Sequence, residues 1–202
     1  MNYQMRTHAK KQIEIVAGPN GSGKTTFARI YFKVRNGTSR FINADAIAAG
    51  LSAGNEEQAA FHAGRVMLRA IEDALKNDES FAFESTLSGK TWWPILSRAI
   101  NQGYSVKIYF VYLNKPSLNL QRIRQRVKEG GHSIPKATVL RRYPRALENF
   151  WRVYRPLCTD WFLFDNSGKK PQRVQSFLEF ERLLNDDKMA FEKSFLKLKK
   201  LK

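Results

Sequence analysis

The chain has 202 residues, 43% of them hydrophobic, which suits one α/β domain able to bury a core, with room for a small appendage. It contains no run of about eighteen apolar residues, so no membrane span is expected; its first residues lack the apolar centre of a signal peptide. Cys158 is the single cysteine, which excludes an intrachain disulfide and, with the other two features, points to the cytoplasm.

Taken in order, residues 1–11 are a polar lead-in, and 13–17 form a short β-prone apolar run. Residues 24–34 continue as a helix. A turn cluster at 35–39 leads to a second strand at 40–43, after which Asp45 opens a new helical segment. Residues 56–77 give a long helix with Ala63, Met67, Ala70, Ile71 and Ala74 at three-to-four spacing. Residues 80–84 form a third strand, 91–101 a helix, and 105–113 the longest β-prone run. A helix over 117–129 stops at Gly130-Gly131, and Pro135 opens another. Leu140, Tyr143, Leu147, Trp151 and Tyr154 line one face of that helix, and Pro144 is expected to kink or interrupt it. Residues 161–165 form the fifth strand. Residues 171–202 read as helical, with Phe177, Leu178, Phe180, Leu183 and Leu184 as a packing face and an amphipathic basic tail.

Strands alternating with helices predict a doubly wound, mostly parallel five-stranded α/β sheet. The core spans 1–170, with a helical lid over about 115–155 and a C-terminal helical extension over 171–202. Ligands of such sheets bind beyond the carboxyl ends of the strands, where Gly18, Asp45 and Glu84 all fall.

The chemistry centres on 18–25, Gly-Pro-Asn-Gly-Ser-Gly-Lys-Thr, which fits the phosphate-loop pattern G-x-x-x-x-G-K-[ST] between a strand and a helix. Such a loop turns successive N–H groups inward and adds the positive end of the following helix. Gly18, Pro19, Asn20, Gly21, Ser22, Gly23, Lys24, Thr25 and Thr26 are thus the candidate nucleotide-binding residues. Lys24 would reach the β- and γ-phosphates of ATP, and Thr25 would offer its hydroxyl to Mg²⁺. Asp45 stands past the second strand, where a carboxylate can orient a substrate hydroxyl and accept its proton; a helix cap is the structural alternative. Glu84 ends an apolar strand and could hold Mg²⁺ through water or grip substrate hydroxyls, with Thr86 and Ser88 adding hydrogen bonds. Ordinary turn chemistry is the alternative for the two hydroxyls.

The charge is unevenly placed. Net charge is +17, and residues 115–155 hold eleven Lys or Arg against Glu129 and Glu148. Arg122, Arg126, Arg141 and Arg142 belong to this segment, read as a lid whose arginines close over phosphates about a Gly130-Gly131 hinge. His132 follows the glycines as a loop residue. No metal-ligand spacing involves the histidines.

Together these residues resemble the zeta-toxin family of P-loop kinases in its compact chromosomal branch. The resemblance rests on Val16-Ala-Gly-Pro-Asn-Gly-Ser-Gly-Lys-Thr-Thr26, Phe41-Ile-Asn-Ala-Asp45, Phe83-Glu-Ser-Thr86 and Arg126-Val-Lys-Glu-Gly-Gly-His-Ser-Ile-Pro135 with Arg141-Arg-Tyr143. It implies an ATP- and Mg²⁺-dependent kinase that phosphorylates the 3′-hydroxyl of UDP-N-acetylglucosamine, and a separately encoded antitoxin as partner. By position Asp45 matches the family's base, Glu84 and Thr86 the start of its sugar-contacting E-x-T-x-R motif, and Arg126 its first lid arginine. Ser88 stands where that motif has arginine, with Lys90 the nearest cation. His132 stands at the place of the second lid arginine, for which Arg141 or Arg142 is the candidate substitute. Two other readings use the same parts: a polynucleotide or nucleoside kinase, and a nucleic-acid-binding NTPase. Against the last, the positive charge concentrates in the lid, and there is no extra module with interleaved aromatics and basics of the kind that bind single strands.

Overall fold

Strands buried on both faces read as continuous apolar runs, and two such runs, β1 (Gln12–Ala17) and β4 (Ser105–Tyr112), lie side by side at the centre of the sheet. The computed structural model describes residues 11–34, 40–43 and 56–200. Around the central pair lie β2 (Arg40–Ile42), β3 (Phe81–Ser85), β5 (Asp160–Asp165) and β6 (Gln172–Ser176), in the order β2-β3-β1-β4-β5-β6. The first five strands are parallel and β6 runs antiparallel to β5. The helices are α1 (Lys24–Val34), α2 (Glu56–Lys76), α3 (Trp92–Asn101), α4 (Pro116–Lys128), α5 (Lys136–Asn149), α6 (Phe177–Glu181) and α7 (Asn185–Lys197). Among the described residues no helix is long and apolar enough to cross a membrane.

The period of two sorts the strand side chains onto two faces. On one face Ile13, Ile15, Phe81, Phe83, Ile108 and Phe110 pack with Met67 and Ile71 of α2, Leu96 of α3, Tyr143 and Leu147 of α5, and Phe195 of α7. On the other, Val16, Tyr109 and Val111 meet Phe27 and Ala28 of α1. Glu14 is buried among these and accepts a hydrogen bond from the Tyr109 hydroxyl (2.9 Å).

Several expectations change. The C-terminal extension begins with a sixth strand, because the edge of β5 offers backbone partners that outweigh local propensity. Of the expected C-terminal face, Phe180 is buried and Phe177 and Leu183 pack against the core, but Leu178 and Leu184 are 63% and 76% exposed; Phe195 and Leu196, outside that face, are buried. Pro144 lies inside α5 without ending it; the helix runs on to Asn149 and passes into a π-helical turn over Phe150–Tyr154. Leu140 is exposed, while Tyr143, Leu147, Trp151 and Tyr154 are buried as expected.

Within the expected lid over 115–155, one face of each helix is seated in the core. Helix α4 buries Asn119 and Ile123, and α5 buries Val139, Tyr143, Ala146 and Leu147. The Tyr143 hydroxyl donates to Leu113 O (2.7 Å), fastening α5 to the end of β4. Swinging α5 outward would expose this core, whereas among the described residues the turn over 129–135 buries no side chain. Beyond the π turn, the Arg155 guanidinium lies over the rings of Trp151 (4.3 Å) and Phe180 (5.0 Å), tying α6 to the same core.

Candidate active site at the carboxyl edge of the sheet

Strand β1 ends at Ala17 between Ser85 of β3 and Phe110 of β4, and the chain turns there into the glycine-rich loop. Gly18 N–H donates to Ser85 O (3.2 Å), and Phe27 N–H closes the first turn of α1 on Gly23 O (2.9 Å). Gly21 (φ 77°) and Gly23 (φ 92°) have backbones that side chains disfavour. A Cβ on Gly21 would stand 2.6 Å from Asn119 O, and one on Gly23 2.6 Å from Asn166 Nδ2. The loop is thus seated against α4 and the end of β5.

Lys24 curls over the loop and donates from Nζ to Pro19 O (3.1 Å). Thr25, one residue on, donates from Oγ1 to Glu84 Oε2 (2.9 Å). Glu84 stands beside Val16 in the parallel register, which carries its carboxylate to the loop, and Asn43 at the end of β2 donates to its other oxygen (3.0 Å). Thr26 is exposed on α1. A hydroxyl and a braced carboxylate form an all-oxygen donor pair of the hard type that Mg²⁺ selects, usually with waters and phosphate oxygens completing its shell. Asp45 lies outside the described residues.

Beyond Glu84 the chain makes a pinned turn. Thr86 and Ser88 share a hydroxyl–hydroxyl hydrogen bond (2.9 Å). Leu87 between them is buried with φ 50°, a left-handed conformation costly for a leucine. Asn149 at the end of α5 donates from Nδ2 to Leu87 O (2.9 Å), and the Tyr154 hydroxyl donates to Gly89 O (2.7 Å). Burial pushes the Tyr154 phenol up to about 12. Lys90 follows, exposed.

Of the lid candidates, Arg122 lies beside the loop. Its Nη2 donates to Asn166 O (2.6 Å), and its Nη1 lies 3.5 Å from where a Gly23 Cβ would be. Arg126 donates from Nη2 to His132 O (2.7 Å), so the arginine and the histidine meet through the histidine's backbone. Arg141 and Arg142 lie on α5, the first exposed and the second half-buried.

The sequence reading missed Asn43, Asn119, Asn149, Tyr154 and the anchoring part of Asn166. One signal was available: an asparagine inside a helix, as at 119, is locally unfavourable and needs a partner to explain it.

A glycine-rich loop between the central strand and its helix, with a carboxylate on the adjacent parallel strand, in a sheet ordered 2-3-1-4-5, defines a P-loop kinase fold. Within that class the chain belongs to the zeta-toxin family, since the family model described as Zeta toxin matches residues 2–169. An uncharacterised protein of Haemophilus influenzae is 34% identical over 126 residues, covering 62% of this chain and 88% of the relative. The fold is similar to a solved structure from the PezAT chromosomal toxin-antitoxin system of Streptococcus pneumoniae (TM-score 0.65, 16% identity, covering 95% of this chain and 84% of that one). It is also similar to a chain of the AvrRxo1-ORF1:-ORF2 structure with ATP (TM-score 0.69, 17% identity, covering 92% of this chain and 64% of that one). At these identities the two structural likenesses are likenesses of fold.

Proposed function

We propose that the protein transfers the γ-phosphate of ATP to a hydroxyl of UDP-N-acetylglucosamine or a related UDP-sugar. The observation that carries the reading is the contact between Thr25 and Glu84: the loop threonine and a strand-end carboxylate meet where a nucleotide's terminal phosphates would lie. The loop N–H groups and the α1 N-terminus bind the phosphates, and Lys24 exchanges Pro19 O for β- and γ-phosphate oxygens. Thr25 and Glu84 would hold Mg²⁺, which when bound neutralises phosphate charge. The acceptor oxygen attacks the γ-phosphorus, the bond to the β–γ bridging oxygen breaks, and ADP leaves. Asp45, by its place in the motif, takes the hydroxyl proton. Thr86, Ser88 and Lys90 offer the acceptor hydrogen bonds and a charge, and Arg126 supplies positive charge to the transferring group.

Family membership and the toxin-antitoxin system of the Streptococcus pneumoniae neighbour support a separately encoded antitoxin as a partner. The UDP-sugar reading rests on the motif resemblance at Glu84 and Thr86. A screen with γ-labelled ATP over UDP-sugars, nucleosides and oligonucleotides tests both levels. Label on UDP-N-acetylglucosamine is expected. Label confined to another hydroxyl compound overturns the acceptor, and label on nothing overturns the kinase reading.

A further inference from the structure

We propose that Asn119 and Asn166 are positioning residues that hold the phosphate loop in its nucleotide-binding shape, an inference that rests on the nucleotide site proposed above. Each amide donates to a loop carbonyl: Asn119 Nδ2 to Asn20 O (2.7 Å) and Asn166 Nδ2 to Ser22 O (2.8 Å). Both side chains are buried, Asn119 completely. The two carbonyls alternate along the loop, and each one held outward by an asparagine leaves neighbouring N–H groups to face the phosphates. A carbonyl turned inward would set an acceptor against a phosphate oxygen.

The asparagines are themselves fixed. Asn119 uses its nitrogen on the loop and leaves Oδ1 buried without a partner among the described residues. A flipped amide would place that oxygen against Asn20 O, so the donor is the group this position needs. Asn166 N–H donates to Tyr112 O (2.8 Å), and its neighbour Ser167 accepts from Asn114 N–H (2.8 Å) and donates to Asp165, which locks the end of β5 to the end of β4. Arg122, one turn beyond Asn119 on α4, donates to Asn166 O and so links the two anchors. The loop therefore takes its shape from α4 and β5 as well as from its own glycines.

The test is nucleotide binding by the full chain, with mant-ADP and Mg²⁺ titrated by fluorescence and the ligand-free melting temperature read alongside. The variants are Asn119→Ala and Asn166→Ala, which remove the donor without adding a charge beside the phosphates. They should weaken mant-ADP binding about ten-fold or more, as loss of a buried hydrogen bond next to a charged ligand does, while the ligand-free chain still melts in a single cooperative transition. Wild-type affinity in either variant overturns the proposal. So does a loss of affinity that only accompanies a collapsed melting transition, because the asparagine is then merely structural. A wild-type chain that fails to bind mant-ADP overturns the nucleotide site itself, a result distinct from either.

Discussion

Thr25 Oγ1 and Glu84 Oε2 are 2.9 Å apart, so the start of α1 and the end of β3 are joined by one hydrogen bond between side chains 59 residues apart in sequence. Glu84→Gln keeps the shape and removes the charge. It should lower kcat about ten-fold or more and raise the Mg²⁺ concentration for half-maximal activity, as loss of a charged metal partner does. A Mg²⁺ titration of γ-label transfer that matches wild type would free Glu84 from metal binding.

Lys24→Ala removes the ammonium now held by Pro19 O. Phosphoryl transfer should be abolished, with the circular dichroism spectrum unchanged, because the loss falls on the phosphate contact. Wild-type turnover in the folded variant would sink the phosphate-loop assignment.

Arg126→Ala should lower kcat by about 10²-fold with a smaller change in ATP affinity, the pattern of a charge that acts in the transition state. His132→Ala is the control: it retains the backbone carbonyl that Arg126 grips and should be nearly neutral. If Arg126→Ala changes only KM, the arginine binds ground-state nucleotide or merely shapes the turn.

Lys90 is exposed beside the pinned turn. Lys90→Ala should raise the KM for the acceptor and leave that for ATP alone, as read by varying each substrate in turn. An equal effect on both would place the lysine outside the acceptor site.

Stability should follow burial. Leu147→Ala empties a fully buried position in α5 and should cost about 2–5 kcal/mol in urea unfolding. Leu184→Ala, at 76% exposure, should stay within about 0.5 kcal/mol. Equal costs would contradict the packing of the C-terminal region.

The parallel core was legible because its strands announce themselves: β1 and β4 are near-continuous apolar runs, and the glycine motif dates the first strand-to-helix turn. Glu84 was legible as a polar end to an apolar strand. The sixth strand was not, because Gln172–Ser176 has little β character of its own and is a strand only by pairing with β5. Leu140 misled because a run of apolar residues at helical spacing does not say where the apolar face ends. Density of charge along a sequence does not reveal which helix faces are buried: the arginines of 115–155 share their helices with core residues such as Ile123 and Tyr143. The asparagine anchors were harder to read for a different reason: an asparagine inside a helix is a hint at 119, but its partner Asn20 lies 99 residues away.

The pinned turn after β3 also limits how this chain can be redesigned. Asn149 and Tyr154 hold the carbonyls of Leu87 and Gly89, and between them lie Phe150 and Trp151, which are part of the core. A graft that replaced 85–90 alone would leave the Asn149 and Tyr154 donors facing a foreign backbone. Moved together, 85–90 and 149–154 form one exchangeable cassette that carries its own bolts, and the acceptor contacts proposed at Thr86, Ser88 and Lys90 would be transplanted between scaffolds in that unit.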